Sequence, residues 1–123
     1  MLARQIPAMQ SLGVDPDLVT VIIGSNDLIS RKLRDGMPGA LLEMRRRLPP
    51  GTIVGNQPGG RASVLEFNRL IDEAASERDL VLAEFRDPRM RSWKGKLSPD
   101  HFHPNDLGYA GMAAIVSEAI QRR

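Results

Sequence analysis

The chain has 123 residues, of which 41% are hydrophobic and 26% charged, and its formal net charge is +2. This balance excludes an intrinsically disordered chain, a collagen-like repeat and a coiled-coil rod. Cysteine is absent, which excludes disulfides, thiolate metal sites and a thiol nucleophile. No apolar run approaches the roughly 20 residues of a membrane span, and residues 1–10 lack the apolar stretch of a signal peptide. We therefore expect one domain over residues 1–123, and its compartment stays open.

Two elements are predicted before the first polar loop. Leu2, Ile6 and Met9 recur at helical spacing and indicate the end of a short helix. A continuous, mostly β-branched run at residues 18–23 predicts a strand that is buried on both faces. Gly24 ends this strand.

Helices and strands alternate over the following residues. Apolar side chains on one side of residues 38–48 predict a helix, which a Pro-Pro-Gly sequence ends. Residues 52–55 predict the second strand, and residues 80–83 predict the third. Between these strands, Ser63 and Glu66 match a capping box at the start of another helix.

An apolar stripe at residues 105–121 predicts the last helix, and a long irregular stretch at residues 86–98 precedes it. Strands that alternate with helices of this length favour a parallel sheet with helices packed against it. In such sheets, functional residues collect beyond the carboxyl ends of the strands. The residues that follow Ile23, Val54 and Ala83 are therefore the first candidates for a site.

The first candidate site follows the first predicted strand, at Gly24-Ser25-Asn26-Asp27. Gly24 would let another backbone or a substrate approach closely. The amide of Asn26 is suited to donate to a developing oxyanion, a contribution of about 10²–10³ in rate. Asp27 could anchor the loop through backbone N–H groups. An ordinary strand-to-helix turn, in which Asn and Asp only cap the helix, is the alternative.

The second candidate site is the sequence Asp-His-Phe-His-Pro at residues 100–104, which holds both histidines of the chain. Asp100 precedes His103 closely enough for a turn to bring its carboxylate to the imidazole. Such a contact fixes the tautomer and stabilises the imidazolium that forms when Nε2 accepts a proton. Pro104 disfavours a helical conformation at His103. A polar loop followed by Asn105 as a helix cap is the alternative.

Two other chemistries are open at these segments. His101 and His103 would lie on one side of a strand and could bind a metal with Asp100 and Asp106, although no distant ligand motif of recognisable spacing accompanies them. A serine hydrolase needs a nucleophile, and the sequence has no G-x-S-x-G elbow. Ser25 is the serine nearest to the candidate site, but its side chain should alternate away from it.

A basic segment at residues 86–96 contains Trp93 and a single acidic residue, Asp87. Interleaved cations and an aromatic ring can bind phosphates and stack bases. The net charge of only +2 gives a nucleic-acid partner no further support, so we predict none. We interpret the segment as a solvated loop at the border of a substrate cleft, where its cations would suit an anionic substrate.

Taken together, the two candidate sites resemble conserved blocks of the SGNH, or GDSL-type, hydrolases. Gly24-Ser25-Asn26-Asp27 is similar to the block G-x-N-D, and residues 100–104 are similar to the block D-x-x-H-P before the terminal helix. The resemblance covers the chain from about Asp17 onward. It implies a flavodoxin-like three-layer α/β/α fold with a parallel sheet. It also implies hydrolysis of small-molecule carboxylic esters, often of acyl or acetyl groups on lipids or carbohydrates.

The same resemblance implies roles for individual residues. His103 would be the general base, Asp100 its orienting carboxylate, and Asn26 an oxyanion-hole donor. Gly24 and Asp27 would support the loop that carries Asn26. Neither a metal nor another cofactor is required.

Two conserved blocks of the SGNH hydrolases do not occur in this sequence: the Gly-Asp-Ser block that carries the nucleophile, and the block that supplies a glycine N–H to the oxyanion hole. The family's strand order 2-1-3-4-5 implies that this chain holds strands 3, 4 and 5, a partial domain with a sheet truncated to about three strands. We therefore expect the chain alone to be inactive, and the strand from Val19 to Ile23 to be an exposed apolar edge. The alternative is a non-catalytic interaction module that pairs through this edge, with a second copy of the chain as one candidate partner.

Overall fold

The computed structural model describes residues 7–8 and 10–123, and its centre is a sheet of three parallel strands in the order β1-β2-β3. Thr20 lies opposite Ile53 in one strand pair, and Ile53 lies opposite Val81 in the other. The strands are β1 (Thr20–Val21), β2 (Ile53–Gly55) and β3 (Val81–Ala83). The helices that follow residue 24 are α1 (Ser25–Ile29), α2 (Arg31–Arg34), α3 (Met37–Arg47), α4 (Ala62–Arg78), α5 (Pro88–Arg91) and α6 (Asp106–Gln121).

Helices cover both faces of this sheet. On one face, α3 and α4 pack against Val54, with Phe67 in the centre of the cluster. On the other face, α5 and α6 pack against Ile53 together with Phe85 and Ile115. Because successive strand residues point to opposite faces, Ile53 and Val54 each belong to a different core. The predicted three-layer α/β/α fold with a three-stranded parallel sheet is confirmed.

The first strand is less buried than predicted. Every residue of β2 is buried, whereas Thr20 is exposed and Ile22 is 38% exposed. Among the described residues, β1 has β2 on one side and no strand on the other. The prediction of burial on both faces is therefore wrong, because an edge strand lacks the neighbour and the full helical cover that β2 has.

Helix α4 begins differently from the prediction. Its first residue is Ala62 and its N-cap is Arg61, whose carbonyl accepts the N–H of Val64. No side chain caps this end. Ser63 therefore lies inside the first turn, past the position from which a side chain can cap. The predicted capping box of Ser63 and Glu66 is wrong.

The predicted helix at the start of the chain falls largely on residues that are not described. Leu2, Ile6 and Met9 lie outside the described residues. Residues 10–11 are helical, and Gly13 follows them with a φ of 63°. In the described part of the chain, no helix is both long and apolar enough to cross a membrane.

Candidate active site

A cleft of about 380 Å³ opens beyond the carboxyl ends of the strands. Asn26, on α1 after the first strand, and His103, in the loop before α6, both line it. The parallel sheet thus brings together two segments that are far apart in sequence. The rest of the wall is mostly apolar and aromatic and includes Ile22, Phe85, Met90, Trp93, Phe102, Tyr109 and Met112.

His103 and Asp100 are in direct contact. The Nδ1 atom of His103 lies 2.6 Å from Oδ2 of Asp100, and the backbone N–H groups of Phe102 and His103 each donate to Oδ1 at 3.0 Å. These bonds, led by the one to the imidazole, lower the pKa of Asp100 to about 2. An ionised carboxylate can only accept, so the imidazole proton must sit on Nδ1. Nε2 is then the atom that can accept a proton.

The ring of Phe102 contacts the imidazole of His103 on another side. The two ring centroids are 4.9 Å apart, with an interplanar angle of 80°. This edge-to-face arrangement is a favourable aromatic geometry. The side chain of His103 nevertheless remains 64% exposed, so its free nitrogen is open to the cleft and to solvent.

Asn105 holds the loop that carries these residues. Its Oδ1 accepts the backbone N–H groups of Leu107 and Gly108 at 3.0 and 3.1 Å and so caps α6. Its Nδ2 donates to the carbonyls of Gly95 and Leu97 at 2.9 and 3.1 Å. One side chain therefore joins the start of the helix to the segment on the other side of the histidine loop. The cap and the candidate site are both present, so the two interpretations of this segment are compatible.

Gly24 shapes the turn before Asn26. Gly24 is buried and has a φ of 105°, a left-handed conformation that favours glycine. A Cβ atom at this position would lie 2.5 Å from Cε2 of Phe67. The close approach predicted at Gly24 is therefore real, but the neighbour is a core side chain rather than a backbone or a substrate.

Asp27 does not make the predicted anchoring bonds. Its side chain is half-buried in the first turn of α1 and has no hydrogen bond within the described residues. The backbone N–H groups of Leu28 and Ser30 donate instead to the carbonyls of Gly24 and Asn26. The prediction that Asp27 anchors the loop through the backbone is wrong for these residues.

Ser25 lies in the same cleft but is bonded elsewhere. Its hydroxyl donates to Oε1 of Gln57 at 3.1 Å, and Nε2 of Gln57 donates to the carbonyl of Ile23 at 2.9 Å. In the part of the chain that the structure describes, Ser25 makes no hydrogen bond to His103. The contact that would activate a serine nucleophile is therefore not formed between these two residues.

The metal interpretation of the histidine segment receives no geometric support. Residues 101–103 are bends rather than a strand, and His101 has a left-handed φ of 56°. The turn closed by Asp100 is the reason, because its carboxylate binds the backbone of Phe102 and His103. The predicted placement of both imidazoles on one side of a strand is wrong. Over residues 7–8 and 10–123, no group of three or more His, Cys, Asp or Glu side chains could hold a metal ion.

The comparison with protein families shows which family the chain belongs to. The GDSL-like lipase/acylhydrolase family matches residues 1–110, which is most of the chain. The chain belongs to this family. No match was found to a curated protein or to a solved structure. The resemblance to the SGNH hydrolases is therefore confirmed, and with it the assignment of the chain to a family of lipases and acylhydrolases.

Next to the candidate site lies a group of buried amides that the sequence analysis missed. Asn56, Gln57 and Asn68 are all buried. Asn68 accepts the backbone N–H of Gln57 and donates to its carbonyl, both at 2.8 Å. Asn56 accepts the backbone N–H of Phe85 and donates to Glu84, both at 2.6 Å. The signal that could have revealed this group is a polar residue inside the apolar stripe of α4.

Proposed function

We propose that this chain carries three catalytic residues of a carboxylic ester hydrolase: His103, Asp100 and Asn26. His103 is the general base, Asp100 orients it, and Asn26 donates to the oxyanion. The observation that carries the proposal is the 2.6 Å contact between His103 and Asp100 in a cleft that Asn26 also lines. Gly24 supports Asn26 through its left-handed turn. Asp27 supports it as an acidic residue in the first turn of α1, where the helix dipole favours a negative charge.

The reaction follows from the proton that Nε2 of His103 can accept. A serine hydroxyl attacks the ester carbonyl while His103 takes its proton, and the ionised Asp100 stabilises the imidazolium. His103 then returns the proton to the leaving alcohol, which leaves an acyl-enzyme. Water attacks the acyl group with His103 again as base, and the serine and the acid are released.

Asn26 and the walls of the cleft act on the charge that develops on the carbonyl oxygen. A positioned amide donor contributes about 10²–10³ in rate. Apolar neighbours such as Met90 and Trp93 exclude water and so strengthen this electrostatic contribution. The same apolar surface suits the acyl chain of a lipid or the ring of an acylated carbohydrate, and we propose small-molecule esters of these kinds as substrates.

We further propose that the nucleophile is not among the residues of this chain. The Gly-Asp-Ser block of the SGNH hydrolases does not occur in the sequence. The serine in the cleft, Ser25, is bonded to Gln57 rather than to His103. The 123-residue chain alone is then inactive toward esters, and a segment that carries the missing block restores turnover.

The experiment adds that segment in cis. The Gly-Asp-Ser portion of another GDSL-like acylhydrolase is fused before residue 1, and hydrolysis of p-nitrophenyl acetate is measured. We expect turnover in the fused chain and a fall of about 10⁶-fold in kcat on His103→Ala. His101→Ala is the matched control, because it removes an exposed imidazole next to the site and should keep the rate. Turnover that is insensitive to His103→Ala would overturn the proposal.

A second candidate function is favoured by the edge position of β1. This strand has no strand neighbour on its outer side among the described residues, and Ile22 is 38% exposed. An exposed, apolar strand edge can pair with a strand of another chain. In this interpretation the protein is a non-catalytic module that associates with a second copy of itself. A dimer in light scattering that Ile22→Lys dissociates would support it, and a monomer at high protein concentration would contradict it.

A further inference from the structure

A second cleft, of about 480 Å³, adjoins the candidate active site. The two clefts share Pro58, Phe85, Met90 and Trp93 in their walls, so they form one continuous groove. The second cleft is also lined by Gly59, Arg86 and Arg91, and we call it the arginine cleft.

The charge of Arg86 is already balanced. Its guanidinium lies 2.9 Å from Asp72 and 2.5 Å from Glu84. The contact with Arg86 lowers the pKa of Glu84, and the two carboxylates raise the pKa of Arg86. Arg86 therefore offers little net positive charge to a ligand in the cleft.

Arg91 is in a different situation, because it makes no ion pair and no hydrogen bond within the described residues. The acidic side chain closest to it in sequence, Asp87, is bound by Arg89 at 2.8 Å. Arg89 also binds Glu118 on α6 at 2.6 Å, which holds α5 against that helix. Of the two arginines that line the arginine cleft, Arg91 is therefore the one without a carboxylate partner among the described residues, and the wall around it is mostly apolar.

We propose that Arg91 binds an anionic group on the ester substrate, which makes the substrate an ester with a carboxylate, phosphate or sulfate on a hydrocarbon arm. This inference rests on the proposed function, because the ester itself lies at His103 and Asn26. Met90 and Trp93, which line both clefts, contact the hydrocarbon between the two polar ends. A guanidinium suits this role because its planar set of N–H donors matches the oxygens of such anions.

The test measures binding and needs no turnover. Trp93 is the only tryptophan of the chain and lines both clefts, so its fluorescence reports occupancy of the groove. Two ligands are titrated into the 123-residue chain: monomethyl suberate, which carries one ester and one carboxylate, and the neutral dimethyl suberate. We expect the half-ester to bind about fivefold more tightly, as a solvent-accessible ion pair allows. The preference should shrink at high salt, because salt screens exposed charges.

Two variants separate the role of Arg91 from general attraction of anions. Arg91→Gln should remove the preference for the half-ester and leave the affinity for dimethyl suberate unchanged. Arg78→Gln is the matched control. Arg78 ends α4 next to Asp79, whose carbonyl accepts the N–H of Gly51 before β2, so it lies at the amino end of the sheet, away from the groove. This control should keep the preference.

Three results would overturn the inference: equal affinities for the two ligands, a preference that survives Arg91→Gln, or no binding of either ligand. None of these results would contradict the catalytic proposal, because that proposal is tested with p-nitrophenyl acetate, which carries no anionic group. Hydrolysis of that ester by the fused chain, dependent on His103, would stand even if Arg91 had no role. Conversely, if the fused chain showed no turnover that depends on His103, the binding preference could still be measured by Trp93 fluorescence.

Discussion

At the scale of single residues, the proposed chemistry depends on the contact between Asp100 and His103. It forms within one turn of chain, so the sequence alone was enough to predict it. The partner that restricts Gly24 is different in kind, because Phe67 comes from α4, which follows three further helices and a strand in the sequence. Local spacing can show that a glycine is needed, but only the packed structure shows which atom excludes a side chain.

The first prediction concerns the titration of Asp100. Its pKa is about 2, below the ordinary value of 3.8, so the folded state binds this proton more weakly than the unfolded state. The stabilising contribution of the carboxylate is therefore complete above about pH 4 and is lost as the pH falls through 2. In His103→Ala the NMR titration midpoint of Asp100 should move up toward 3.8, because the largest cause of the lowering is gone.

His101→Ala serves as the control for that titration, since His101 makes no hydrogen bond to Asp100 within the described residues. In His101→Ala, the titration midpoint of Asp100 should stay at the wild-type value. An unchanged midpoint in His103→Ala would show that the imidazole does not contact the carboxylate in solution.

The second prediction separates the two constraints at Gly24. Gly24→Ala forces a side chain into a left-handed conformation and into the ring of Phe67, for an expected loss of about 2–4 kcal/mol in the free energy of unfolding. Gly59→Ala is the matched control, because Gly59 has a φ of 116° but no atom within 4 Å of the position that a Cβ would occupy. The free energy of unfolding of Gly59→Ala should fall by only about 1 kcal/mol, because the left-handed backbone conformation is its only cost. Equal losses in urea denaturation would contradict the contact with Phe67.

At the scale of elements, apolar runs predicted the three strands but not the burial of the first one. A run such as residues 18–23 has the same composition whether a strand is central or at an edge. The structure shows that β1 is an edge strand, because among the described residues it pairs with β2 and with no other strand. The predicted capping box at the start of α4 was wrong for a related reason. A capping motif is a local preference, and the helix begins upstream of Ser63, at Ala62.

The third prediction concerns Asn105, whose side chain both caps α6 and binds the segment before the histidine loop. Asn105→Ala removes the cap and should cost about 1–2 kcal/mol in the free energy of unfolding, measured by urea denaturation. Asn105→Asp keeps the cap oxygen but cannot donate to the carbonyls of Gly95 and Leu97. Its free energy of unfolding should therefore lie between those of the wild type and Asn105→Ala. A wild-type stability for Asn105→Asp would show that those two amide bonds contribute nothing.

At the scale of the whole molecule, the resemblance to the SGNH hydrolases predicted that Asn26 and His103 belong to one site, and both line the same cleft. The carboxyl ends of the strands lie at one edge, and both segments follow that edge. The group of buried amides next to the cleft could not be predicted in this way, because Asn56 and Asn68 find their partners only after β2, β3 and α4 are packed. The same holds for Arg91. Its lack of an ion pair within the described residues depends on how Arg89 is engaged across two helices.

The central claim is that this chain supplies the base and an oxyanion donor but no activated serine. It is tested most directly by mass spectrometry after treatment with a fluorophosphonate, which forms a covalent adduct with an activated serine hydroxyl. We predict no serine adduct on the 123-residue chain, and one adduct on the added Gly-Asp-Ser serine of the fused chain that disappears with His103→Ala. A stoichiometric adduct on Ser25 of the unfused chain, lost with His103→Ala, would contradict the claim.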